Sequence, residues 1–344
     1  MKRRRFTHGL AAGTLGLLAG RGGATSMPHP ALVKPPRLKK GDTVGLITPG
    51  SAIDDEALEK AVTNIESLGL FVKLGEHVRA ERGFTAGTDS QRLDDLHRMF
   101  ADEQVAGVWC ARGGYGCSRL LPKIDYPLIA RHPKVLIGYS DITALLQAIL
   151  LETGLVGFHG PVGASDFTDY TRDQVTAVLM EPRPMHIILP AGANLKSTKD
   201  AFTTTVLQPG KARGPLAGGN LSLLAALAGT PYGLNARGRL LFIEDIGEKP
   251  YRIDRMLTQL RQTAELGAAA GIALGVFADC EADPGDRSLS LADTLKDRLG
   301  SIGVPVVYGL SFGHIQHMCT LPIGLPAELD TETLTITLRE TGVS

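Results

Sequence analysis

Short apolar runs and helix-period stretches take turns along most of the chain. Residues 42–51, DTVGLITPGS, read as a buried strand ending in a Pro-Gly turn, and apolar positions then recur at helical spacing from about 54 to 68. Residues 70–74 are a second strand. A polar, glycine-bearing loop at 84–89 leads to a helix carrying Leu93, Leu96 and Phe100. A third apolar strand, 105–110, runs straight into Arg112-Gly113-Gly114-Tyr115-Gly116. Val135, Leu136 and Ile137 make a fourth. Ile142, Leu145, Leu146 and Ile149 then step at three and four residues, the stripe of an amphipathic helix. This alternation predicts an α/β domain with a mostly parallel sheet covered on both faces. Ligands of such sheets bind beyond the carboxyl ends of the strands.

The pattern weakens after Val162. Residues 165–204 mix Asp, Thr, Pro, Gly and Lys around one short helix and a strand at 185–189, as a connecting region does. Alternation resumes near Gly214. Gly218-Gly219-Asn220 opens a helix, and strand 239–243 delivers Glu244, Asp245 and Glu248. Helix 251–266, strand 272–277 and helix 289–299 follow, then a strand at 304–308 that runs into Ser311-Phe312-Gly313-His314. Thr and apolar residues alternate over 334–338, as in a half-exposed strand. The predicted division is an export signal at 1–27, an N-terminal domain at 38–165, a linker region at 166–205 and a C-terminal domain at 206–340.

The first residues change the picture of where the protein works. A basic head, Lys2 to Arg5, precedes an uncharged, largely apolar segment from Gly9 to Ala19. That segment is too short to span a bilayer and suits a signal-peptide core. Arg3-Arg4-Arg5-Phe6 resembles a twin-arginine signal, an address rather than an anchor. The expected location is periplasmic or secreted, or cytoplasmic if the signal does not function. Lys+Arg and Asp+Glu number 36 each, so no basic face advertises nucleic acid. Cys110, Cys117, Cys280 and Cys319 are too scattered for a zinc ribbon or a disulfide framework, and a Cys110–Cys117 bridge is left open. No H-E-x-x-H or paired Cys-x-x-Cys spacing occurs, and neither a metal nor a cofactor is expected.

The strand-turn-helix over residues 134–152 has the shape of a turn that bears a nucleophile. It projects Ser140 above the sheet, with free backbone N–H groups beside it. The alternative is that Ser140 or Asp141 merely caps the helix. Glycine lies two before the serine, but Ile142 stands where a hydrolase elbow has its second glycine. The RGGYG glycines form an anion nest, an oxyanion site or a plain turn. Glu244 and His314 each follow an apolar strand. A serine nucleophile needs such a base, and the base needs a carboxylate to hold its tautomer.

Taken together, GDTVGLITPGS (41–51), RGGYG (112–116), GYSDIT (138–143), FHGP (158–161), GGNL (218–221), IEDIGEKPYRIDRML (243–257) and GH…LPIG (313–324) resemble the LD-carboxypeptidases of the S66 serine peptidases, with the microcin C immunity peptidases as a branch. The resemblance covers nearly the whole chain after the signal. It implies a flavodoxin-like, parallel-sheet N-terminal domain carrying the nucleophile Ser140. A smaller β/α-sandwich C-terminal domain would carry the acid Glu244 and the base His314, with a cleft between the domains and commonly a homodimer. It also implies removal of the terminal D-alanine from the tetrapeptide stem of cell-wall fragments. The substrate would be a small peptide, with no nucleic acid and no stable membrane anchor. The N–H of Asp141 is the natural first oxyanion donor and Gly114 a candidate second; Arg112 either grips a substrate carboxylate or forms an internal salt bridge. Two other readings compete: an immunity-type peptidase acting on peptidyl- or aminoacyl-nucleotide antibiotics, and a non-catalytic periplasmic peptide-binding protein.

Overall fold

The computed structural model describes residues 30–344, so the segment read as an export signal lies outside the described residues. Five strands, β1 (Thr43–Ile47), β2 (Phe71–Leu74), β3 (Val105–Cys110), β4 (Val135–Gly138) and β5 (Phe158–His159), pair in parallel in the order 2-1-3-4-5. This is the flavodoxin-like order, with its switch point between β1 and β3. The crossovers contain α1 (Asp55–Glu66), α2 (Asp89–Ala101), α3 (Tyr126–Arg131) and α4 (Thr143–Thr153). Local chemistry sets their starts. The Asp54 carboxylate accepts the Ala57 N–H, and Thr88 with Gln91 closes a capping box on α2. The expected amphipathic stripe on α4 widens in the structure. Thr143, Gln147 and Thr153 are buried along with the apolar positions, because both faces of this helix are covered.

The linker region holds α5 (Asp169–Val175), β6 (His186–Ile188) and α6 (Gly192–Leu195). The second sheet is larger and mixed. It adds β7 (Thr205–Gln208), β8 (Lys211–Asn220), β9 (Leu240–Ile246), β10 (Gly271–Ala278) and β11 (Val306–Gly313). Of these, β8 to β11 run parallel, and β7 closes one edge antiparallel. On the far side β13 (Pro326–Asp330), β14 (Thr335–Leu338) and β6 continue the sheet antiparallel from β8. The two-residue β12 (Leu321–Pro322) leaves this half of the chain and pairs antiparallel with β5 in the first sheet.

Alternation along the central strands divides the interior. Leu241 and Ile243 of β9 face α7 (Leu221–Leu227), α8 (Pro250–Thr263) and α9 (Leu291–Leu299), which bury Leu224, Ile253, Leu257 and Leu295 against them. Leu240 and Phe242 of β9 and Phe312 of β11 point the other way, into the continuous core shared with the first sheet. The two sheets are thus joined by one continuous core. Two expectations are corrected here. Glu244 lies inside β9, paired with Asn220 of β8, rather than past the strand's end; β11 likewise continues to Gly313. Central strands flanked on both sides keep their ladder to the last residue. Among the described residues, no helix is long and apolar enough to cross a membrane.

Candidate active site

Ser140 has φ +63°, in the left-handed region that a residue with a Cβ normally avoids. Such a conformation costs on the order of 1–3 kcal/mol and persists only where the surroundings impose it. Here β4 ends at Gly138, Tyr139 is extended, and the chain turns abruptly at Ser140 into α4. Gly138 permits the turn, since a Cβ there would lie 2.9 Å from Cγ1 of Ile142. The helix-cap alternative fails: neither Ser140 nor Asp141 makes a side-chain cap bond to the helix. Instead the buried Asp141 carboxylate accepts the Cys117 N–H at 2.8 Å, and burial pushes its pKa up. This bond ties the serine turn to the glycine loop after β3.

That loop abuts the serine. A Cβ on Gly113 would come within 2.9 Å of Ser140 Cβ and 3.2 Å of its Oγ, so only glycine fits beside the hydroxyl. Gly114 has φ +95° and packs on Ser51, whose hydroxyl accepts the Tyr115 N–H. Neither the Asp141 nor the Gly114 N–H is engaged in a turn, loop or side-chain hydrogen bond among the described residues. Arg112 spends one N–H on the Ala52 carbonyl at 2.9 Å. The expected alternative of an internal salt bridge is not found for it among the described residues. Cys110 and Cys117 are free, buried thiols.

Glu244 and His314 come together. Glu244 is fully buried, and its Oε2 lies 2.7 Å from Nδ1 of His314, which keeps 14% of its side-chain surface exposed. The backbone enforces this pairing. Gly313 has φ +111°, and a Cβ there would sit 3.1 Å from Glu244 Cβ. The Tyr139 ring, next to Ser140, lies 4.8 Å from the His314 ring, which brings the serine turn alongside the imidazole. A serine on a strained turn and an imidazole whose Nδ1 is held by a buried carboxylate are thus brought into one neighbourhood through the Tyr139 ring.

Asp245 faces the opposite side of β9 and does something else. Its carboxylate accepts from Asn220 Nδ2, from the N–H and hydroxyl of Ser222, and from the Ile246 N–H, which anchors the start of α7. Burial, and then the neighbouring Glu244 charge, push its pKa up to about 6. Beside His314 a cavity of about 500 Å³ opens, lined by Asn194, Ser197, Lys199, Asp279, Gln316 and His317 among others. Its lining from the linker region was not singled out in sequence, because nothing in that polar stretch has a period. His159, which in sequence stands out only within the FHGP motif, lies completely inside, behind Tyr139.

Comparison with known proteins places the chain in a family. The model of the LD-carboxypeptidase N-terminal domain matches residues 44–160, and that of the LD-carboxypeptidase C-terminal domain matches 213–329. A probable murein peptide carboxypeptidase of Bacillus subtilis (strain 168) is 44% identical over 316 residues, covering 90% of this chain and 95% of its own. The crystal structure of a muramoyltetrapeptide carboxypeptidase from Oxalobacter formigenes is 31% identical and superposes with a TM-score of 0.73, covering 86% of this chain and 97% of that one. The microcin C7 self-immunity protein MccF shares the fold at a TM-score of 0.81 and 24% identity, over 91% of this chain and all of that one. The sequence motifs, the two-sheet architecture and these matches lead to one conclusion: the chain is a carboxypeptidase belonging to the LD-carboxypeptidase family of S66 peptidases.

Proposed function

We propose that the protein is a serine LD-carboxypeptidase that removes the C-terminal D-alanine from the tetrapeptide stem of peptidoglycan fragments. The observation that carries the reading is the buried Glu244–His314 bond beside a serine held at positive φ. His314 takes the Ser140 proton as the oxygen attacks the carbonyl, then gives it to the departing D-alanine amine. The acyl group stays on Ser140 until water, activated by the same imidazole, releases it. Glu244 fixes the imidazole's tautomer and stabilises its charged form. The N–H groups of Asp141 and Gly114 receive the oxyanion. Arg112 holds the terminal carboxylate, having donors left after Ala52. The names of the Bacillus and Oxalobacter relatives support a cell-wall substrate for this chain.

On this reading the enzyme works outside the cytoplasm, delivered by its twin-arginine-like signal, and acts as a homodimer. MccF, which shares the fold, has been solved in complex with glutamyl sulfamoyl guanosine and with aspartyl sulfamoyl adenosine, which gives a second substrate class to test, the aminoacyl-sulfamoyl nucleotides. Incubation of the purified protein with tetrapeptide stem and, separately, with aminoacyl-sulfamoyl adenosine decides between them. Free D-alanine that is lost in Ser140→Ala and His314→Ala is the expected result. Cleavage of the nucleotide alone would overturn the substrate, and turnover surviving in either variant would overturn the mechanism.

A further inference from the structure

Several polar side-chain atoms near the Glu244–His314 pair are sealed from solvent and have no hydrogen-bond partner among the described residues. They are Oε1 of Glu244, both ring nitrogens of His159 and Oγ1 of Thr320, and all three residues are completely buried. Buried polar atoms in folded proteins are nearly always satisfied, by protein or by ordered water. The backbone gathers these groups. His159 of β5 sits between Gly138 of β4 and Leu321 of β12 in the ladder, and Thr320 packs on the neighbouring Gly160. The His159 ring lies 5.1 Å from Phe242 and 6.4 Å from Phe312. Each phenylalanine is two residues before a member of the pair, and side chains two apart on a strand share a face.

We propose that His159 is a positioning residue for the acid–base pair: its neutral imidazole donates an N–H to Oε1 of Glu244 through a buried water shared with the Thr320 hydroxyl. This rests on reading Glu244 and His314 as the acid and base of the reaction. Burial agrees with the neutral state, holding the imidazole's pKa down to about 4, with Glu244 opposing and His314 adding to the shift. A His159 N–H leaves the carboxylate with both oxygens occupied, one by His314 and one by the water. The charge on Glu244 is then supported before any substrate arrives. The other titratable groups close enough to feel the Glu244 charge are Tyr139, Asp245 on the opposite face of β9 and the Cys280 thiol, and none of them hydrogen-bonds Oε1.

The test is the pH profile of kcat/KM for D-alanine release, from about pH 5 to 9, in the full-length protein. His159→Phe keeps the ring and removes the donor. The acidic limb should move up by about one pH unit and kcat should fall about tenfold, with KM little changed. The direction follows because an unsupported carboxylate makes the pair hold its proton more tightly. His159→Gln, which retains an N–H donor, should return the limb toward wild type. Thr320→Val, nearly isosteric, should displace it the same way by less, and it decides the matter if His159→Phe does not fold. A limb unmoved in His159→Phe, with activity lowered equally at every pH, would reduce His159 to packing and overturn the proposal. So would a limb as displaced in His159→Gln as in His159→Phe. Failure of the underlying reading looks different: His314→Ala would then stay active.

Discussion

Glu244→Gln isolates the charge on the acid while keeping its shape. The wild-type carboxylate is fully buried and meets His314 at 2.7 Å. When His314 takes the serine proton, a charged pair forms there. At roughly 4 Å and an effective dielectric near 20, the attraction is about 4 kcal/mol. Each ~1.4 kcal/mol is a factor of ten in rate, so losing it lowers kcat by about a thousandfold. An amide turned with its NH₂ toward Nδ1 also holds the wrong tautomer, which extends the expected loss to between ~10² and ~10⁴. Asp245→Asn is the control on the same strand. It turns one acceptor into a donor among Asn220, Ser222 and Ile246, so about 1–3 kcal/mol of stability should go while kcat stays within about threefold. D-alanine release measured for both, with circular dichroism and thermal melts, gives the answer. Near-normal turnover in a folded Glu244→Gln, or a folded but dead Asp245→Asn, would refute the assignment of the acid.

Gly113→Ala should lower kcat at least about tenfold with the fold intact, because the added methyl meets the Ser140 hydroxyl rather than the core; an unchanged kcat would mean the loop yields freely. The pH dependence of stability should change in His159→Phe. The folded-state value for His159, about 4, lies below the ordinary ~6.5, so the unfolded chain binds its proton first and the wild type loses stability as pH falls from ~6.5 toward ~4. Thermal melts should show that loss reduced in the variant; equal slopes would contradict it. Replacing Arg3, Arg4 and Arg5 together by lysine should strand a tagged protein in the cytoplasm, and fractionation showing unchanged periplasmic yield would rule out the twin-arginine route.

The serine turn was legible because a buried strand and a helix meet there with glycine between, and local periodicity reports both. The motifs singled out Glu244 and His314, which the structure pairs, but the strands that carry them were cut short. Strand ends in a flanked sheet are set by neighbours far along the chain, such as Asn220 opposite Glu244. The antiparallel extension through β13, β14 and β6 and the stitch of β12 to β5 were invisible for the same reason. His159 shows the limit most clearly. A histidine after an apolar residue looks the same in sequence whether it is solvated or sealed, and only the packing of Tyr139, Phe242 and Phe312 around it separates the two.

The pairing of β12 with β5 also orders events during synthesis. β5 ends at His159, and its outer partner is not translated until Leu321 emerges, with the base His314 only a few residues earlier. At about 5–20 residues per second, the nucleophile's sheet waits some ten to thirty seconds with that edge unpaired. On the proposed mechanism the chain contains Ser140, and later Glu244, but lacks the base until His314 emerges near the end of this interval, so a chain truncated before it would not attack a peptide. On that mechanism, closing the β5 edge and arming the serine fall together in one late step.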